Sequence, residues 1–189
     1  MLPGGRRFSF APDPSRLALV PVRATRPDEW PTLRAIEELA GERFRDVGLE
    51  DVADHDPPPA DTLGTYALAG RSWVAVDGVD EPFGYVLVDV VDGNAHVEQL
   101  SVRPDHQGQG AGRALLERVR TWALENGRPG ITLTTFTHVP WNRPLFEHLG
   151  FRVLGRDETG PELGAVRRAE AVRGLQPTMR VCMRLDLEA

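Results

Sequence analysis

The run His106-Gln107-Gly108-Gln109-Gly110-Ala111-Gly112-Arg113 joins an apolar strand, Val97 to Val102, to an amphipathic helix opening near Gly110, and is suited to holding a diphosphate. Small residues at 108, 110, 111 and 112 let backbone approach an anion; the free N–H groups of the first helical turn point at it and the helix dipole favours negative charge. A Gly-rich turn before a helix is also ordinary loop chemistry. No Lys-Ser or Lys-Thr follows, which excludes the P-loop of nucleotide hydrolases. Neither Gly108-x-Gly110 nor Gly110-x-Gly112 has its third glycine at the dinucleotide-binding offset. Cys182, the only cysteine, reads as a small buried hydrophobe in the strand Arg180-Val181-Cys182-Met183 rather than as a nucleophile. His55, His96, His106 and His148 show no paired spacing of a metal site, so no metal is expected.

The elements that must position these residues alternate between helix and strand. Leu17 to Val22 reads as a first strand, and Thr25 with Pro27-Asp28-Glu29 as a helix start carrying acid in its first turn. Trp30, Leu33, Ile36, Leu39, Ala40 and Phe44 recur at helical spacing and should face the core to about residue 45. Residues 46–60, ending in Pro57-Pro58-Pro59, cannot be one regular element, and a short helix is expected over 61–69. Three meander strands follow at 72–76, 83–91 and 95–102, separated by the hairpin signals Val76-Asp77-Gly78-Val79-Asp80 and Asp92-Gly93-Asn94. A helix over 110–126 presents Leu115, Leu116, Val119, Trp122 and Ala123 on one face and leads to a strand at 131–135. A short helix at 141–148, strands at 151–155 and 178–187, and a helix over 162–173 between them complete the pattern.

Composition sets bounds. A chain of 189 residues with 41% hydrophobic content can bury one ordinary core, here assigned to 17–189, with 1–16 as a flexible N-terminal arm. Arg6-Arg7 before Phe8 is reminiscent of a twin-arginine signal, but Ala11-Pro12-Asp13-Pro14-Ser15-Arg16 stands where the apolar stretch should be. No apolar run approaches the roughly 20 residues needed to span a bilayer, so no membrane partner is expected. A single cysteine suits a reducing compartment, and the expected location is cytoplasmic. The net charge of −6 argues against nucleic acid as a partner. All basic residues are arginine, so no lysine is available as base or acyl acceptor.

Read outward, Leu100-Ser101-Val102-x-Pro104-x-x-Gln107-x-x-Gly110-x-Gly112-x-x-Leu115-Leu116 and then Trp141-Asn142-x-x-Leu145-Phe146-Glu147-x-Leu149-Gly150-Phe151 resemble the GNAT superfamily of acyl-coenzyme A dependent N-acetyltransferases, over roughly 17–156. The resemblance implies an α/β (α+β) single-domain GNAT-like fold. Its mixed, mostly antiparallel sheet of about six to seven strands would be flanked by helices and splayed between the fourth and fifth strands. The helix over 162–173 departs from the simplest family pattern; it could cover the acceptor side, form an oligomer contact such as a homodimer, or be a surface insertion.

The same resemblance assigns roles. The pantetheine arm of acetyl-coenzyme A would lie in the splay, pairing with backbone at Leu100, Ser101 and Val102. Its diphosphate would rest on Gln107, Gly108, Gln109, Gly110, Ala111, Gly112 and Arg113, the last either adding charge or simply solvated. Asn142 would lie near the distal arm and could also cap helix 143–148. An alkylammonium acceptor must lose a proton before it attacks, and Glu98, on the strand beside the thioester, is the candidate base; a solvent-facing strand glutamate is the plainer alternative. In an unbroken strand Glu98 shares a face with His96, Leu100 and Val102, a relation that a bulge near Leu100 or Ser101 would alter. The Leu100 N–H could donate to the developing oxyanion. Family members often carry a tyrosine where this chain has Phe146, which has no proton for the leaving thiolate; His138 is the substitute candidate, and Tyr66 and Tyr85 lie outside the motif. The acid-rich stretch from Glu42 to Asp61 is expected to border the acceptor cleft and favour a cationic amine, or else to be a solvated loop. Two functions follow: an acetyltransferase acting from acetyl-coenzyme A on a primary amine, and a non-catalytic acyl-coenzyme A binding regulatory domain.

Overall fold

The computed structural model describes residues 20–188, so the arm expected over 1–16 lies outside them. The chain runs through β1 (Val22–Ala24), α1 (Trp30–Gly41), α2 (Glu50–Ala53) and α3 (Ala60–Leu68) into the meander β2 (Ser72–Val76), β3 (Pro82–Val91) and β4 (Asn94–Val102). It continues through α4 (Ala111–Glu125), β5 (Gly130–Phe136), α5 (Arg143–His148), β6 (Arg152–Val153), α6 (Pro161–Val172) and β7 (Arg180–Asp186). Together they form a seven-stranded sheet in the order β1-β2-β3-β4-β5-β7-β6, antiparallel except where β4 meets β5. This is the mixed, mostly antiparallel architecture expected.

Period-two alternation in β3 divides the core into two layers. Val86 and Val88 point to one face, where Leu115, Leu116, Val119 and Ala123 of α4 and Phe146 of α5 cover them. Tyr85 and Leu87 point to the other, against Leu33 and Ile36 of α1 and Leu63 of α3. Leu163 of α6 packs on Val91 and Cys182 beside that second layer, leaving Cys182 buried in its strand. The turn that should be a plain hairpin at Asp92 also anchors α6: the Asp92 carboxylate accepts the N–H groups of Glu162 (3.1 Å) and Leu163 (2.9 Å) in its first turn. Gly160 permits that approach, since a Cβ there would lie 2.4 Å from the Asp92 carboxylate.

Three boundaries differ from expectation. The first strand pairs over 22–24, later than the apolar run suggested, because its partners on β2 are Trp73, Val74 and Ala75. The core stripe of α1 stops at Gly41, and Leu39 is 47% exposed; a 3₁₀ segment over 42–47 then turns Phe44 sideways onto Phe136 and Trp141, closing at Gly48 in the left-handed region. The strand expected at 151–155 is regular only over 152–153, although the Leu154 N–H still reaches the Cys182 carbonyl. No helix among the described residues is long and apolar enough to cross a membrane.

Candidate active site

β4 and β5 pair as parallel strands over only three positions, Ala95 with Ile131, His96 with Thr132 and Val97 with Leu133, and then separate. The opening continues into a cleft of about 1610 Å³ that reaches both the glycine-rich turn and the face carrying α1 and α3. Its near lip is the second half of β4. The Arg103 N–H donates to the Phe83 carbonyl of β3, so strand alternation turns the backbone of Ser101 toward β3 and that of Leu100 and Val102 into the gap. The Val102 carbonyl accepts from Gln107 Nε2 at 3.0 Å, which leaves its N–H, with both Leu100 groups, facing the opening.

A bulge is present, but two or three residues earlier than anticipated. Val88 pairs with Val97 and Leu87 with Gln99, so Glu98 is the extra residue. The physical result is the one that mattered: Leu100 and Val102 pack with the α4 core, while Glu98 and Gln99 open toward α1 and α3, and Gln99 Nε2 donates to Ser101 Oγ at 2.9 Å. Glu98 lines the cleft and is at the same time exposed to solvent. Enclosure by surrounding protein pushes its carboxyl above the usual range, reinforced by the charges of Asp89 and Glu170 and opposed by Arg173 and Arg180.

Beyond β4, Gly108 and Gly110 adopt left-handed φ of +73° and +90°, which swings the chain into α4 with Gly110 as its cap. Among the described residues no acceptor meets the amides of 108–113, and a Cβ built on Gly112 has nothing within 4 Å. An anion placed there would meet backbone donors and empty space. Arg113 is exposed at the cleft wall without an ion-pair partner among the described residues. The Gln109 side chain turns back to the Asp105 carbonyl at 3.0 Å, away from the cleft, while its backbone N–H meets no acceptor among the described residues.

The far lip carries Asn142 and Phe146. Asn142 occupies the cap position of α5, yet its side chain gives no capping bond; Nδ2 donates instead to Thr135 Oγ1 of β5 at 3.1 Å. Phe146 is buried edge-on against Phe151. His138 lies outside the residues that line the cleft. Neither tyrosine is free to supply the missing hydroxyl: Tyr66 donates to Asp89 at 2.8 Å, Tyr85 donates to Glu37, and burial raises the pKa of both phenols.

The acceptor face holds groups that the motifs did not reveal. Glu37 of α1 lines the cleft, with its pKa raised by burial, lowered by the Tyr85 hydrogen bond and the Arg34 charge, and raised again by Glu98. Its spacing of four from Leu33 was the available signal, since that places it at the edge of the buried stripe. From α6, Glu170 is 4% exposed; it pairs with Arg167 at 2.6 Å and Arg180 at 2.9 Å and accepts from Thr134 of β5. Arg173, just past the end of α6, lines the cleft, so the C-terminal end of the inserted helix reaches the cleft wall. In the acid-rich stretch Arg45 neutralises Glu42 at 3.0 Å and Asp54 at 2.5 Å, leaving Asp51 and Asp56 on the cleft wall. Among the described residues no group of three or more His, Cys, Asp or Glu side chains is placed to hold a metal.

Comparison with known proteins bears on this geometry. The model of the acetyltransferase (GNAT) family matches residues 33–151. A curated relative, the peptidyl-lysine N-acetyltransferase YjaB of Salmonella typhimurium, is 35% identical over 86 residues, which are 46% of this chain and 53% of that protein; the chain thus spans about half the length of this relative. Among solved structures, the ribosomal-protein-S18-alanine N-acetyltransferase of Escherichia coli superposes with a TM-score of 0.61 at 18% identity, covering 89% of this chain and 94% of that one. The PaiA N-acetyltransferase of Thermoplasma acidophilum, in complex with coenzyme A, gives 0.64 at 11% identity over 88% and 98% of the two chains. These likenesses at low identity establish a shared fold.

Proposed function

The chain belongs to the acetyltransferase (GNAT) family, and from that premise we propose that it transfers an acetyl group from acetyl-coenzyme A to a primary amine, either a cationic small molecule or the amine of a peptide lysine. One observation carries the proposal: β4 parts from β5 after three pairs, so that unpaired backbone of Leu100 and Val102 adjoins a loop whose amides lack acceptors. The pantetheine arm would lie along those groups with its diphosphate over 107–113. The peptidyl-lysine activity for which YjaB is named supports a lysine-type acceptor, as do Glu37, Glu98, Asp51 and Asp56 on the cleft wall.

The chemistry balances with groups of this chain. Glu98, directly or through one water, takes a proton from the acceptor ammonium, and the freed lone pair attacks the thioester carbonyl. The Leu100 N–H donates to the oxygen as it becomes negative, an arrangement worth about 3 kcal/mol when preorganised. Collapse of the intermediate breaks the C–S bond and expels the thiolate, and the second proton of the attacking nitrogen passes to water or to the departing sulfur. A thiol with a pKa of about 8.5 can leave partly as its anion near neutrality, so the absence of a hydroxyl at Phe146 is compatible with turnover.

That same absence, with both tyrosines bound to carboxylates, favours a second reading: an acyl-coenzyme A binding domain without turnover. Thiol release from acetyl-coenzyme A across a panel of amines and lysine peptides separates the two. Release dependent on a cationic amine is expected. Coenzyme binding without release for any amine would establish the second reading, and a preference for acidic acceptors would discard the cationic assignment alone.

A further inference from the structure

Two adjacent residues at the end of α1 span the opening between the lips. Phe44 packs its ring on Phe136 of β5 at 5.3 Å and on Trp141 at 6.1 Å, both on the far lip. Arg43 lays its guanidinium over the Trp141 ring, 4.2 Å from the centroid, and one of its terminal nitrogens donates to Gln107 Oε1 on the near lip. The segment expected to border only the acceptor therefore reaches the loop assigned to the coenzyme. Its charge arrangement is informative as well. Arg45, two residues on, is paired with two carboxylates, whereas Arg43, in the same acid-rich stretch, has no ion-pair partner among the described residues. Gln107 is the one hydrogen-bond partner recorded for Arg43 among those residues, leaving the other donors of its fork uncommitted. They lie at the cleft wall beside amides that also lack acceptors.

We propose that Arg43 is a diphosphate-binding residue, a side-chain arm that closes over the backbone cradle of 107–113 from the acceptor side. A guanidinium fork suits two phosphate oxygens, and stacking on Trp141 holds its plane before any ligand arrives. Because the chain continues from Arg43 into α2 and Asp51, seating the diphosphate also fixes the wall that the acceptor meets. This inference rests on reading 107–113 as the diphosphate cradle.

Calorimetry with coenzyme A and with dephospho-coenzyme A, which keeps the diphosphate and lacks the 3′-phosphate, tests it. Arg43→Met keeps the stem on Trp141 and removes the charge; Arg43→Lys keeps the charge. The Met variant should bind both ligands about 10- to 100-fold more weakly, the span of one lost charged hydrogen bond, with a flatter salt dependence. The Lys variant, which keeps the charge but loses the fork and the stacking, should fall between the Met variant and the parent. Unchanged affinity in Arg43→Met, equal losses in Met and Lys variants, or a loss on coenzyme A alone would each overturn the assignment, the second pointing to packing and the third to a 3′-phosphate contact. Should Arg43→Met not fold, Arg43→Gln takes its place with the same criteria. Failure of the parent protein to bind either ligand would instead overturn the reading of the cleft itself.

Discussion

The two sides of the opening between β4 and β5 are made by different means. The side proposed for the coenzyme is nearly all backbone: the unpaired groups of Leu100 and Val102, two left-handed glycines and a helix N-terminus contributed by one stretch of chain. The side proposed for the acceptor is nearly all side chain, with Glu37 from α1, Tyr66 from α3, Glu98 from β4, Glu170 from α6 and Arg180 from β7. Backbone binding constrains where glycine must be and little else. Side-chain binding distributes its requirements over more than 140 residues of sequence, from Glu37 to Arg180. The coenzyme site should therefore fail through bulk, and the acceptor site through charge.

The largest effect should come from Glu170, the carboxylate between Arg167 and Arg180. Glu170→Gln leaves two guanidinium groups around an uncharged amide, and removing one partner of a buried pair costs about 3–5 kcal/mol. Urea unfolding reads this directly. A loss below about 1 kcal/mol would show that α6 is held by apolar contacts, with the charges incidental. Next comes Glu98→Gln, which should lower turnover about 100-fold or more with coenzyme affinity nearly intact, the defect shrinking as pH rises and free amine accumulates. A near-parental rate from pH 6.5 to 9 would remove Glu98 from the mechanism.

Gly112→Val then tests the backbone side. The new side chain meets nothing in the protein, so the melting temperature should hold while acetyl-coenzyme A binding weakens on the order of tenfold, about one charged hydrogen bond. Unchanged affinity in the folded variant would put the diphosphate elsewhere. Gly110→Val is the poorer experiment, because φ of +90° strains any β-branched residue whether or not a ligand binds.

The smallest change should follow Tyr85→Phe. The phenol donates to the ionised Glu37 and so holds its pKa down against burial; Arg34 does the same by charge, while Glu38 and Glu98 oppose both. Deleting the hydroxyl raises that pKa, so the acidic limb of kcat/KM for the amine should move to higher pH, with kcat at high pH retained. An unmoved limb would confine Glu37 to a structural role.

This contrast also explains what could be read from the chain. The turn at 106–113 and the helix after it are local, and their residue types state their conformation. The strand order and the parting of β4 from β5 came from resemblance to a family, since nothing in Val97 or Leu133 marks them as the last pair. The bulge was anticipated from its need rather than its sequence, and was placed at Leu100 or Ser101 although Glu98 is the extra residue. Asn142 has the type and position of a helix cap, but the hydroxyl of Thr135 across the lip takes its side chain. Arg167 and Glu170 stand three apart on a helix, but the contacts of Glu170 with Arg180 of β7 and Thr134 of β5 were illegible because no local period relates those residues.

The short seam between β4 and β5 has one further consequence, in its proton balance. His96 lies at its middle, 1% exposed, with Nδ1 at 2.9 Å from Thr132 Oγ1, and burial lowers its pKa to about 4. The folded chain therefore keeps this imidazole neutral at pH values where an unfolded chain would protonate it. Proton uptake then accompanies unfolding between the ordinary value of about 6.5 and 4, so the stability contributed by the neutral ring is present above that window and is lost as pH falls through it. The strands that separate to make the cleft are thus joined, where they do meet, by a contact that acid weakens.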